Sequence, residues 1–127
     1  MRTTSVSEPL SASSVNRAWP QQVPPIGHPD HEKRLSAWLL DVLPSELRSF
    51  SVVRRHLPAL LHFAESYVLG SLNGVRNAYS SARAELAGQL PPEAIAASLK
   101  SYERVGQELR LQYEFIVVMR EHHCDDT

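Results

Sequence analysis

The first clear pattern in the chain is an apolar stripe near residue 40 with the period of an α-helix. It comprises Leu35, Trp38, Leu39, Val42 and Leu43. Asp30 follows a proline and can cap the free amides of the next turn, so we expect the helix to begin there. Pro44 ends it, because the residue before a proline is pushed out of the helical region. Short helical pieces are expected over 45–50 and 52–56, the second capped by Ser51.

Two longer stripes follow, separated by a short link. The first begins at Pro58, which suits a helix start, and ends before Gly88, which suits a helix stop. It comprises Leu61, Ala64, Val68, Leu72, Val75, Tyr79, Ala82 and Leu86. The second begins at Pro92, runs to about residue 121, and is expected to be helical as well. It comprises Ile95, Leu99, Tyr102, Gly106, Leu109, Tyr113 and Ile116. A link this short predicts a long antiparallel helical hairpin.

One stretch of the second stripe has a competing pattern. Residues 109–115 alternate strictly between apolar and polar, which taken alone is typical of a strand. No breaker separates them from the helical pattern before them, and an isolated strand would leave its backbone groups unpaired. We therefore predict a helix over 109–119. The fold class is all-α, with a long hairpin and a shorter N-terminal helix in a bundle-like arrangement.

The N-terminal quarter of the chain lacks any such period. Residues 1–29 hold five of the nine prolines together with much serine and threonine, which predicts a disordered tail. Trp19 is the exception, and we expect it to fold back on the domain, because tryptophan is usually buried. The alternative for Trp19 is to anchor a partner. The predicted organisation is a tail over 1–29, a helical bundle domain over 30–121 and a short C-terminal tail over 122–127.

Composition and charge exclude several classes of protein. The length of 127 residues suits one domain, and a net charge of −1 provides no overall attraction to nucleic acid or anionic lipid. The single cysteine, Cys124, cannot form an internal disulfide. Residues 3–14 lack the apolar run of a secretory signal, and no stretch approaches the roughly 18 apolar residues of a membrane span. We expect a cytoplasmic protein without membrane contact.

The first long helix carries little charge and a row of small residues spaced by four, from Ser66 to Ala82. Two of these are interior glycines, which cost about 1 kcal/mol each relative to alanine. Small residues in such a row let another backbone approach closely, either the chain's own last helix or a second copy. The residues expected at this helix-packing or dimer contact are Gly70, Gly74, Ala78, Ala82, Leu72, Val75, Tyr79, Tyr113 and Ile116.

The chain contains no recognisable catalytic or nucleotide-binding motif such as G-x-S-x-G, a phosphate-binding glycine loop or H-E-x-x-H. His62 and Glu65 share a helix face, but their order is the reverse of the Glu-x-x-His of di-iron bundles. A zinc site would require the two chain ends to meet, because its candidate ligands are His28, His31, His122 or His123, and Cys124. That spacing matches no zinc motif. We predict no catalytic residue, no metal and no cofactor.

The only basic cluster is formed by Arg54 and Arg55, with Arg48 nearby. At a helix start these groups could bind an anion such as phosphate. Together with His56 they would give a salt slope of only about −3.6 on duplex DNA, which is a weak, non-specific grip. No recognition helix follows. We expect these side chains to be solvated or structural, without nucleic-acid binding.

These observations favour a non-catalytic helical module for protein interaction or regulation. We expect it to be a homodimer, because the last helix is apolar on more than one side and the first long helix is nearly neutral. A different protein partner is also compatible with these features. The first alternative is a nucleic-acid-associated regulator using the arginine cluster. The second is a metal-binding or enzymatic bundle using His62 and Glu65.

Overall fold

The computed structural model describes residues 17–124, and the regular elements within that range are helical. In chain order they are α1 (His31–Val42), a 3-10 helix (Ser45–Ser49), α2 (Ser51–Arg55), α3 (Leu57–Leu86) and α4 (Pro92–Cys124). This confirms the predicted all-α fold, with a shorter helix preceding a long hairpin. None of these helices combines the length and the hydropathy that a membrane span requires. Two parts of the predicted tails, 1–16 and 125–127, lie outside the described residues.

The hairpin is turned where the sequence predicts. Gly88 has a φ of 82°, a left-handed conformation that favours glycine. The backbone amides of Gln89 and Leu90 both donate to the carbonyl of Leu86, at 3.0 and 3.2 Å, which closes the end of α3. α4 then runs without interruption from Pro92 to Cys124. The helical prediction for 109–119 is therefore confirmed, because the local alternation there has no partner strand to satisfy it.

The core lies at one end of the hairpin, where α1 packs on α3 and α4. We call this end the base. Its largest fully buried side chains are Leu35 and Leu39 from α1, Leu60, Leu61 and Val68 from α3, and Phe115, Ile116 and Met119 from α4. Burying one such side chain stabilises the fold by about 1.5–3 kcal/mol, so this cluster holds the three helices together.

The segment before α1 also belongs to the base. Trp19 packs edge-on against Phe115 with ring centroids 4.9 Å apart, and its indole N–H donates to the carbonyl of Val23 at 2.7 Å. Val23 and Ala18 are buried in the same cluster. The expected return of Trp19 to the domain is confirmed. The structured part of the chain therefore begins well before residue 30. The reason is that Ala18, Trp19 and Val23, which lie among the prolines, pack in the apolar cluster of the base.

Among the described residues, the other end of the hairpin consists of α3 and α4 alone. In residues 73–106, which we call the distal arm, only Ala82 and Leu99 are buried. The α3 half of this arm extends about 21 Å beyond the base at 1.5 Å per residue. Helix pairs without a third layer bury little apolar area, so the arm depends on the base for its stability.

Two side-chain caps that the sequence suggests are not formed. The side chain of Asp30 makes no capping hydrogen bond to α1, and its backbone N–H instead donates to Nδ1 of His28 at 3.0 Å. Ser51 is the first residue of α2, and the residue before it, Phe50, occupies the cap position. Both helices start through backbone hydrogen bonds, since tertiary packing at the base fixes their positions.

Candidate interaction surface

A second stripe on α3 lies outside the core. Its members are spaced by four, three, four and four residues, which places them along one line on a helix. They are Phe63, Tyr67, Gly70, Gly74 and Ala78, and all five are exposed. Phe63 and Tyr67 are 38% and 39% exposed, and their rings stack on each other with centroids 5.8 Å apart. We call this line of five residues the α3 seam.

The α3 seam contains no charged side chain. Glu65 and Arg76, the charged residues of α3 closest to it in sequence, have partners elsewhere: Glu65 pairs with Arg120 of α4, and Arg76 donates to Asn73 at 3.5 Å. The hydrogen bond and the charge of Glu65 raise the pKa of the Arg120 guanidinium. A neutral line of aromatic and small side chains can pack against another helix without burying a charge, which would otherwise be costly.

The two glycines of the seam face open space. Within residues 17–124, a Cβ placed on Gly70 or Gly74 would meet no atom within 4 Å apart from the adjacent chain of α3 itself. The close approach of α3 and α4 occurs instead at Gly106, where an added Cβ would lie 3.5 Å from Cγ1 of Val75. The row of small residues predicted from the sequence is therefore partly buried and partly exposed. Ala82 is buried at 4% exposure, and its predecessors Gly70 and Gly74 leave an uncovered strip.

The remaining predicted contact residues also divide between the inside and the outside of the chain. Ile116 and Leu72 are buried, at 0% and 5% exposure, and Val75 packs on α4. Tyr113 is half-buried against the base. Tyr79 is 39% exposed and remains available to a partner. Most of this second group therefore stabilises the hairpin itself, because the stripe chosen from the sequence was the one that faces α4.

The predicted anion-binding cluster lies at the junction between α2 and α3. Arg54 and Arg55 lie in the last turn of the five-residue α2, where the helix dipole disfavours an anion. Arg48 is bound by Asp41 at 2.6 Å. α3 begins at Leu57, two residues after Arg55, so anion binding by Arg54 and Arg55 at that helix start stays a prediction.

The histidines behave differently from one another. His62 is exposed and Glu65 belongs to the ion pair with Arg120, so these two do not form a joint site. His31 and His123 do come together: their Nε2 atoms lie 3.1 Å apart, and the rings stack with centroids separated by 5.2 Å. Within residues 17–124, no group of three or more His, Cys, Asp or Glu side chains is arranged to hold a metal ion.

Sequence reasoning missed two features of these surfaces. The seam had a readable signal, since Phe63 and Tyr67 continue the line of Gly70 and Gly74 at helical spacing. His31 and His123 are among the candidate zinc ligands named from the sequence, but nothing in the sequence indicates that they meet, because 92 residues separate the two side chains and no local pattern connects them. No protein-family model, curated protein or solved structure matched this chain, so its function is argued from its own geometry.

Proposed function

We propose that the chain is a non-catalytic interaction module that forms a homodimer through the α3 seam. The observation that carries this proposal is the exposed, uncharged line from Phe63 to Ala78, with open space above Gly70 and Gly74. A neutral surface is self-compatible, because two copies related by a two-fold axis bring no like charges together. The occupant is therefore a second copy of the same chain.

The seam suits antiparallel pairing about an axis near Gly70. In that arrangement Phe63 of one protomer lies opposite the partner's Ala78, and Tyr67 lies opposite the partner's Gly74. Each large ring then meets a small residue, so the side chains interdigitate as they do in close-packed interiors. The same pairing brings each distal arm alongside the partner's base, which adds contact area to the part of the chain that buries the fewest side chains.

The exposed area of the two aromatic rings shows how much of the dimer contact they can supply. An aromatic side chain offers roughly 200 Å², so 38% and 39% exposure leaves about 75 Å² on each of Phe63 and Tyr67. Both rings on both protomers together offer about 300 Å², well below the roughly 1,200–2,000 Å² that a specific interface buries. The contact must therefore extend beyond the rings to the rest of the seam and the surfaces beside it, where the exposed glycines let the two backbones approach.

The proposal is tested by Gly74→Leu. A leucine here projects from the seam and holds the two backbones apart, so we expect weaker association with an unchanged helical content, measured by sedimentation equilibrium and circular dichroism. Ser80→Leu is the matched control, because residue 80 lies about 120° away around α3 at 100° per residue. A wild-type chain that remains monomeric at every accessible concentration overturns the homodimer.

The predicted orientation is tested by disulfide trapping in a Cys124→Ser background. Two residue-67 positions are separated by about 10 Å along the antiparallel pair, which is too far for a disulfide. Tyr67→Cys and Gly74→Cys chains should therefore cross-link when mixed, and neither should cross-link efficiently alone. Self-cross-linking of both single variants would instead mean a parallel dimer.

A further inference from the structure

The base contains a histidine pair that joins the two ends of the described chain. His31, at the start of α1, is 3% exposed, and its Nε2 lies 3.1 Å from Nε2 of His123 in the last turn of α4. Nδ1 of His31 lies 2.8 Å from the carbonyl oxygen of Pro24. The pair is thus held between three elements, α1, α4 and the segment before α1.

The hydrogen-bond partners fix the protons of this pair. The Pro24 carbonyl can only accept, so Nδ1 of His31 carries a hydrogen. When the His31 ring is neutral, its Nε2 carries only a lone pair, and the facing Nε2–H of His123 donates a hydrogen bond to it. One additional proton can be accommodated if His123 changes its tautomer. When both rings are charged, two N–H groups face each other and the contact is lost.

The contact secures the segment that precedes α1. This segment places Trp19 against Phe115, and the centroid of the indole lies 6.3 Å from that of the His31 ring. Val23, buried at 3% exposure, accepts the indole hydrogen bond. The segment is bonded to His31 through the Pro24 carbonyl, so separation of the two rings removes one of its links to α4, and repulsion between two adjacent cations then favours release.

Most of the influences on His123 favour its neutral form. Burial lowers the pKa of His123, the charges of His122 and His31 lower it further, and Glu32 of α1 opposes them. On α3, Glu65 is already held by Arg120. An unfolded histidine titrates near pH 6.5, so between the folded and unfolded pKa values the unfolded chain binds more protons. The contribution of His123 to stability is therefore full above about pH 6.5 and decreases as the pH falls through that interval.

We propose that the His31–His123 pair is an acid-sensitive latch, which holds the segment of residues 19–30 on the base at neutral pH and releases it when both rings are protonated. Release uncovers the apolar surface of α4 around Phe115. None of the five seam residues takes part in the latch, so this proposal does not rest on dimer formation through the α3 seam.

The latch is tested with Trp38→Phe chains, in which Trp19 is the sole tryptophan. Acrylamide quenching of its fluorescence is followed from about pH 7.5 to about pH 5, with a chelator present so that no metal bridges the rings. We expect quenching to rise on acidification toward the value of the same chain in denaturant. The helical signal in circular dichroism should stay constant over that range.

Two further variants separate the latch from general acid sensitivity. His123→Gln keeps an amide donor toward His31 but cannot be protonated, so the transition should be lost and Trp19 should remain protected. His122→Gln removes the neighbouring, exposed histidine and should retain the transition. The proposal is overturned if Trp19 stays protected in the parent chain at about pH 5, if His123→Gln shows the same transition, or if helicity falls together with protection.

Discussion

Replacing both seam glycines with alanine should stabilise the isolated chain. Gly70 and Gly74 lie in the interior of α3, where glycine costs about 1 kcal/mol relative to alanine through the conformational freedom of the unfolded chain. In the described part of the chain, no atom beyond the adjacent chain of α3 lies within 4 Å of an added Cβ at either position, so no steric term opposes this gain. The double variant should therefore be more stable by about 2 kcal/mol.

For a domain of about 100 residues, that difference raises Tm by about 9 °C. The measurement is thermal unfolding followed by circular dichroism, in solution dilute enough to exclude association. Gly88→Ala is the matched control for the same chemical change. Its φ of 82° is unfavourable for an L-residue, so there alanine should cost about 1 kcal/mol. A double variant less stable than the parent chain would refute the reasoning, since it would mean that the space above Gly70 and Gly74 is occupied within the monomer.

Two other predictions follow from the base and from the arginine cluster. Phe115→Ala should lower the free energy of unfolding by about 3–5 kcal/mol in a urea titration, because the ring is fully buried between Trp19 and the α1 core. Phe50→Ala, at a position 56% exposed, should change it by no more than about 0.5 kcal/mol. In a mobility-shift assay at physiological salt, neither the parent chain nor a chain with Arg54→Glu and Arg55→Glu should bind mixed-sequence DNA. A tight, salt-sensitive shift abolished by that charge reversal would contradict our interpretation of the cluster.

The sequence by itself determined the helices and their order. Pro44 and Pro92 delimit helices through their fixed φ and missing N–H, and Gly88 ends α3 because it can adopt a positive φ. The hairpin follows from the short link after Gly88. These features can be predicted from the sequence because they depend on hydrogen bonds and steric limits between residues a few positions apart. Residues 109–115 are helical despite their alternating pattern, since the described part of the chain contains no strand that could pair with them.

The tertiary structure decided which surfaces are covered. α3 carries two stripes of helical period, and the sequence does not say that α4 contacts the one with Val75 and leaves Gly70 exposed. The return of Trp19 to Phe115 and the meeting of His31 with His123 join residues more than ninety positions apart. The hydrophobic effect is non-directional and scales with the apolar area removed from water. Which surface each helix covers is therefore decided only when all the helices pack together.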